Sequence, residues 1–254
     1  GTPEAETTLE VVLADDGGTS LANLLSQRRM SPAEVVDIGK QLATTLAEVH
    51  RSGVIHRDIK PRNIIVDSEG RTLLIDFGIA TRIPREFAAL RPPTSLEGTL
   101  AYLAPEQSGR MNRPVDARAD LYSLGVTLYE ALCGRLPFVH TEAMELVHAH
   151  IAREPPPLSA IDPTIGPELT QVVAKLMAKS PDDRYRSARS LLADLLLLRE
   201  ALPSGIPRFT PGEQHRSAEF RLPLAIIGRD RERRQLFDAF AHAAAGSRAL
   251  VLIS

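Results

Sequence analysis

One cysteine, Cys133, occurs in 254 residues. A single thiol forms no internal disulfide, so packing alone must hold the fold, and a reducing compartment, the cytoplasm, is expected. Neither sign of charge is in excess: 30 Lys and Arg stand against 32 Asp and Glu, a net charge of −2. No basic field exists to hold nucleic acid nonspecifically, and no nucleic-acid partner is expected. Long hydrophobic runs are also missing. The most apolar stretch, residues 191–198, contains Asp194 and is far too short to span a bilayer, so no membrane partner is expected either. No signal peptide stands at the start, and no internal repeat is visible. The chain opens on Gly1 rather than Met, which suits a piece of a longer protein. What remains is ordinary globular composition, 43% apolar and 24% charged, and this excludes a disordered, collagen-like or coiled-coil chain.

Local patterns then divide the chain. Residues 9–13, Leu-Glu-Val-Val-Leu, read as a strand, and Asp15-Asp16-Gly17-Gly18 as the turn after it. Ser20 is placed to cap a short helix running through Arg28. Ser31-Pro32-Ala33-Glu34 is a capping box with Pro at the first helical position. Behind it Val35, Ile38, Leu42, Leu46 and Val49 form one apolar stripe, and Gly53 ends the helix. Ile64-Ile65-Val66 and Leu73-Leu74-Ile75 read as a hairpin around residues 67–70. Residues 79–104 lack periodicity and hold Pro84, Pro92, Pro93 and Gly98; a loop that long in a compact domain is usually functional. Residues 120–132 predict a buried helix, and 141–153, 167–179 and 187–202 predict three more. The last carries Leu191, Leu192, Leu195 and Leu198 on a face suited to core packing. His148 and His150 lie two apart on one helix and so face different ways, which argues against a metal pair.

The chemistry concentrates in two short segments. One is His56-Arg57-Asp58-Ile59-Lys60-Pro61-Arg62-Asn63, between helix and hairpin. The other is Asp76-Phe77-Gly78, directly after the hairpin. Downstream stand Gly98-Thr99-Leu100-Ala101-Tyr102-Leu103-Ala104-Pro105-Glu106, then Asp120-Leu121-Tyr122-Ser123-Leu124-Gly125, then Lys179-Ser180-Pro181-Asp182-Asp183-Arg184. In this order they resemble the catalytic lobe of eukaryotic-type protein kinases, whose H-R-D-x-K-x-x-N and D-F-G segments are followed by an A-P-E. The resemblance covers residues 9–202.

It implies an α+β, mostly helical fold of the kinase C-lobe type, and roles for single residues. Asp58 would orient or accept the proton of the substrate hydroxyl. Lys60 would neutralise charge on the moving phosphoryl group, in a reaction that is mostly positioning and electrostatics. Asn63 and Asp76 would offer oxygens to Mg2+, a hard cation, beside the phosphates of ATP. Ile65 would form the floor under the adenine. His56, Phe77 and Gly78 would be structural, Asp120 would cap its helix and hold the catalytic loop's backbone, and Glu106 with Arg184 would be a buried ion pair. Lys60 together with Thr99 resembles the Ser/Thr group, so the implied partner is a protein with Ser or Thr acceptors. Arg62 stands where basophilic relatives often carry Glu, which argues against a strong demand for basic substrate residues. Arg57 would pair with a phosphate on Ser95 or Thr94.

No G-x-G-x-x-G precedes residue 9 and no V-A-I-K-type lysine is present, so the N-lobe is expected to be largely missing. The isolated chain is then expected to bind ATP poorly and to be inactive alone. A noncatalytic, kinase-like docking module that controls a neighbouring ATPase is the alternative. Composition shifts at Pro203: residues 203–223 read as a Pro- and Gly-rich linker after a domain spanning 1–202. Residues 224–254, with Gly228-Arg229-Asp230-Arg231-Glu232, a helix over 228–245 and a strand over 249–253, resemble the start of an AAA or STAND-type ATPase, an α/β P-loop fold cut before its Walker lysine. Kinase followed by ATPase resembles large bacterial hybrid signalling proteins that also carry sensor and histidine-kinase modules.

Overall fold

The computed structural model describes residues 18–78, 80–82, 100–201 and 210–213. The strand expected at 9–13, most of the 203–223 linker and the whole of 224–254 lie outside them.

Two serines start the first helices. Ser20 accepts the Asn23 N–H at 3.2 Å and opens α1 (Leu21–Gln27). Ser31 accepts the Glu34 N–H at 3.3 Å while Glu34 takes the Ser31 N–H at 2.8 Å, the reciprocal box that opens α2 (Pro32–Arg51). Arg28 also binds Glu34, and with the Ser31 N–H it draws that carboxyl down to about 2. Val35, Ile38, Leu42 and Leu46 are buried along one face, and Gly53, at φ 74°, turns the chain out of the helix.

The hairpin forms between β3 (Ile64–Val66) and β4 (Thr72–Leu74), with Ile64 opposite Leu74 and Val66 opposite Thr72. Its second strand sits one residue earlier than the sequence predicts. β1 (Thr19–Ser20) adds to the other side of β3, giving a three-stranded antiparallel sheet. Gln41 of α2 pins the hairpin turn by accepting the Thr72 N–H and donating to the Gly70 carbonyl. A second small sheet pairs β2 (Val54–Ile55) with β5 (Thr81–Arg82). The aperiodic stretch expected from residue 79 therefore contains a strand, and strands of two residues leave no alternation to read.

The rest is helical. α3 (Arg118–Cys133) has 14 of its 16 residues buried and forms the centre of the lobe. α4 (Ala143–Ala152), α5 (Leu158–Ile161), α6 (Pro167–Leu176) and α7 (Ala188–Ala201) follow, and α5 and α6 join α2 in packing directly on α3. α6 ends three residues earlier than expected, and the Ala178 and Lys179 carbonyls beyond it take the Arg184 guanidinium instead of a helical ladder. α5 is four residues long, too short to show a helical period. α7 lies on α2 through buried Leu191, Leu195 and Leu198. Gly125 lets α3 touch α6 closely: a Cβ there would stand 2.7 Å from the Leu176 Cβ. Beyond α7, the Gly212 N–H donates at 2.6 Å to buried Asp194, which also accepts the Tyr185 hydroxyl at 2.8 Å. Among the described residues no helix is long and apolar enough to cross a membrane.

Candidate active site

The hairpin brings the two motif segments together. Asn63 stands just before β3 and Asp76 two residues after β4, so antiparallel pairing sets both at the hairpin's open end. One bond extends the pairing there: the Ile75 N–H donates to the Asn63 carbonyl at 2.9 Å. Asn63 closes the turn Pro61–Asn63, with its N–H on the Lys60 carbonyl at 2.9 Å. Its side-chain NH2 donates to the Asp58 carbonyl at 2.8 Å and to Asp58 Oδ2 at 3.0 Å. Lys60 Nζ meets the same Oδ2 at 2.7 Å. Asp58, Lys60 and Asn63 thus form one cluster, one peptide bond's reach from the strand that leads into Asp76.

Asp76 is exposed and lies at φ 65°, in the left-handed region, with Oδ1 accepting the Gly78 N–H at 3.2 Å. A Cβ on Gly78 would come within 3.0 Å of that oxygen. Phe77 is half-buried, its ring 4.5 Å from that of His56. His56 is fully buried. Its Nε2 faces the Ile75 carbonyl at 3.1 Å and its Nδ1 faces the Asp58 N–H at 3.3 Å, a pattern that a neutral ring satisfies. Burial pushes its pKa below the ordinary histidine value, against the pull of Asp120 and the Ile75 carbonyl.

Asp120 departs from expectation in one respect. It does not cap its own helix: the N-cap is Ala117, and the Arg118 N–H is taken by Asp116 Oδ1 at 2.8 Å. Asp120, fully buried in the first turn, instead accepts the N–H groups of His56 at 2.9 Å and Arg57 at 2.7 Å, and meets His50 Nε2 at 2.8 Å. It ties the backbone of His56 and Arg57 to α3. Arg57 is the other left-handed non-glycine residue among those described, at φ 70°. Glu106 and Arg184 form the expected buried pair, in two bonds of 2.6 and 2.8 Å.

Three neighbours were not legible as part of this site. His50 stands in the last turn of α2, off its apolar stripe, and gives no signal of its contact with Asp120. Gln107, directly after Glu106, accepts the Ala104 N–H at 3.1 Å and donates to the Arg57 carbonyl at 3.0 Å. Tyr102 donates its hydroxyl to Glu130, and burial raises the pKa of both groups. Ile65 is half-buried in β3, opposite Ser20 and Leu73. Thr94, Ser95 and Thr99 lie outside the described residues. A cleft of about 670 Å³ opens elsewhere, between α1, α2 and the hairpin turn, and its rim acids Glu34, Asp37 and Asp67 are paired with nearby bases.

No group of three or more His, Cys, Asp or Glu side chains suited to a metal occurs among the described residues. The Asn63 amide oxygen and the Asp76 carboxylate are hard oxygen donors. Two such ligands fit Mg2+, which keeps several waters and shares phosphate oxygens rather than taking a full protein cage.

Comparison with known proteins agrees with the motifs. A family model described as a protein kinase domain matches residues 3–196. A probable serine/threonine-protein kinase of Streptomyces coelicolor is 36% identical over 75% of this chain and 28% of its own length. Serine/threonine-protein kinase PknB of Mycolicibacterium smegmatis is 35% identical over 70% of this chain and 28% of its own. PknL of Mycobacterium tuberculosis is 36% identical over 80% of this chain and 51% of its own. The chain thus spans between about a quarter and a half of the length of these relatives.

Proposed function

The chain belongs to the protein kinase domain family, and from that premise we propose that it forms the catalytic lobe of a Ser/Thr protein kinase. The reaction would move the γ-phosphoryl group of ATP to a Ser or Thr hydroxyl of a protein. The observation that carries this reading is the Asn63 bridge. One residue fixes Asp58 through its side chain and, through its carbonyl, the strand end that leads into Asp76.

The roles follow from where the polar groups stand. Asp58 is the one carboxylate in the catalytic loop, so it orients the substrate hydroxyl and takes up its proton. Lys60, 2.7 Å from that carboxylate, sets a positive charge beside the reacting hydroxyl, where it would neutralise charge on the phosphoryl group as it moves. The Asn63 amide oxygen and the Asp76 carboxylate would hold Mg2+, and Ile65 would lie under the adenine. ATP with Mg2+, when bound, supplies the phosphoryl group and neutralises its charge. Thr99 would belong to the catalytic set, and Arg57 would answer a phosphate on Ser95 or Thr94. Residues 203–223 would link the lobe to an AAA or STAND-type ATPase beginning at 224. Sensor or histidine-kinase modules would be further partners in a longer protein.

The test uses the full-length protein with a Ser/Thr peptide library and labelled ATP. Asp58→Asn should abolish transfer and leave nucleotide binding nearly intact. Asp76→Asn should also weaken Mg2+-dependent binding. Normal transfer by the Asp58 variant would overturn the reading. A wild-type protein that binds ATP and transfers nothing would favour the docking-module alternative. A Thr94→Ala, Ser95→Ala double variant with full activity, on a loop that phosphate mapping finds unmodified, would remove the proposed control by Arg57.

A further inference from the structure

The peptide group joining Arg57 to Asp58 is held at both of its polar atoms. Its N–H, that of Asp58, faces His56 Nδ1 at 3.3 Å. Its carbonyl oxygen, that of Arg57, accepts the Gln107 side-chain NH2 at 3.0 Å. Because the peptide is planar, fixing both atoms fixes the direction in which the Asp58 Cα leaves it. Arg57 itself is at φ 70°, a strained conformation that persists only where neighbours enforce it. Asp120 holds the N–H side of Arg57 at 2.7 Å, and Gln107 holds the carbonyl side.

Gln107 is itself anchored. Its N–H donates to the Ala104 carbonyl at 2.9 Å, and its Oε1 accepts the Ala104 N–H at 3.1 Å. The residue before it, Glu106, is locked to Arg184. The two ends of its amide do different work, one accepting from the Ala-Pro-Glu turn and one donating to the catalytic loop. Glutamate has the length but no N–H to donate. Methionine has the length and neither group.

We infer that Gln107 is a positioning residue for Asp58: its side-chain amide carries the placement of the Ala-Pro-Glu turn into the catalytic loop by bracing the Arg57 carbonyl. This rests on the kinase reading for its effect on rate, and on geometry alone for its effect on the loop. A displacement on the order of 1 Å at a catalytic group can cost about 100-fold in rate.

The experiment compares Gln107→Glu and Gln107→Met in the full-length protein with wild type and Asp58→Asn. Three quantities are read: kcat and the KM for ATP, the thermal midpoint, and the hydrogen-exchange rate of the Asp58 amide. Both Gln107 variants should lower kcat roughly 10- to 100-fold while the KM for ATP stays within about threefold. Their thermal midpoints should stay near wild type, and the Asp58 amide should exchange at least about tenfold faster. Wild-type kcat in both variants, or unchanged Asp58 exchange, overturns the inference. So does a fall in kcat that only follows a large drop in thermal midpoint, since that marks a structural role. Full transfer by Asp58→Asn would defeat the kinase reading instead, and the exchange measurement would still decide whether Gln107 braces the loop.

Discussion

Arg184 gives Glu106 two parallel bonds while neither side chain is more than 1% exposed. Its three remaining N–H groups go to the carbonyls of Ala178, Arg118 and Lys179, at 2.8, 3.0 and 3.1 Å. Every donor of the guanidinium is used, and its face lies 4.8 Å from the centre of the Tyr122 ring. Arg184→Ala should cost about 3–5 kcal/mol, because it strands a buried carboxylate. For a domain of this size that is a fall in Tm on the order of 10 °C. Arg184→Lys should recover only part of it, having three donors and no planar fork. Calorimetry on the three proteins measures this, and an unchanged Tm in the alanine variant would remove the pair from the stability account.

His150 predicts a pH dependence. Buried beside the Lys179 charge, it is held at about 4, well below the ordinary value of 6.5. Between those two pH values the unfolded chain takes up a proton that the folded one refuses. Stability from this group is therefore full above about pH 6.5 and is lost as pH falls to 4, by on the order of 3 kcal/mol. His56, also lowered by burial, acts in the same direction. Urea midpoints at pH 7, 5.5 and 4 should fall more steeply for wild type than for His150→Gln. Parallel curves would show that His150 does not titrate across this window.

Gly125 sits where two helices meet most closely. An alanine there would put its Cβ 2.7 Å from the Leu176 Cβ and 3.0 Å from the Met177 Cγ. Gly125→Ala should destabilise by about 1–3 kcal/mol, although alanine is the better helix former by about 1 kcal/mol. Gly39→Ala is the matched comparison. Its Cβ would meet only flexible side-chain ends, that of Leu195 at 3.3 Å and those of Leu128 at 3.5 and 3.6 Å, so its effect should be near zero. Denaturant titration separates the two, and equal stabilities would contradict the packing account.

Asp194 should hold the chain beyond α7 to the lobe. Asp194→Ala would leave the Tyr185 hydroxyl and the Gly212 N–H without this acceptor. A buried donor left unmade costs about 1–3 kcal/mol. Hydrogen exchange at the Gly212 amide should accelerate at least tenfold in that variant. Unchanged exchange would mean that the turn is held by other contacts.

Much of this arrangement is written locally. Ser31 and Glu34 are three residues apart, and the α2 stripe repeats at helical spacing, so both are visible without a fold. The Asp58 and Asp76 segments are legible because their order and spacing resemble a known signature. What was not legible acts across distance. His50 reaches forward 70 residues to Asp120, and Gln107 reaches back 50 to the Arg57 carbonyl. A lone glutamine after a turn carries no periodicity, and its meaning comes only from the carbonyl that the fold sets in front of it. The β2 and β5 pairing failed to show for a related reason: two residues are a contact, with no pattern along the chain.

The left-handed backbones of Arg57 and Asp76 bear on how the molecule loses function with heat. Arg57 is braced from two elements, by Asp120 and by Gln107. Asp76 keeps its turn through the local Gly78 bond and the contact of Phe77 with His56. Local openings cost less than global unfolding, and strained segments with few braces open first. On warming, the Asp76 turn should therefore relax while α3 is still packed. Thermal inactivation and thermal unfolding would then be separate events, the first reversible and set by a turn of a few residues, the second cooperative and set by the core.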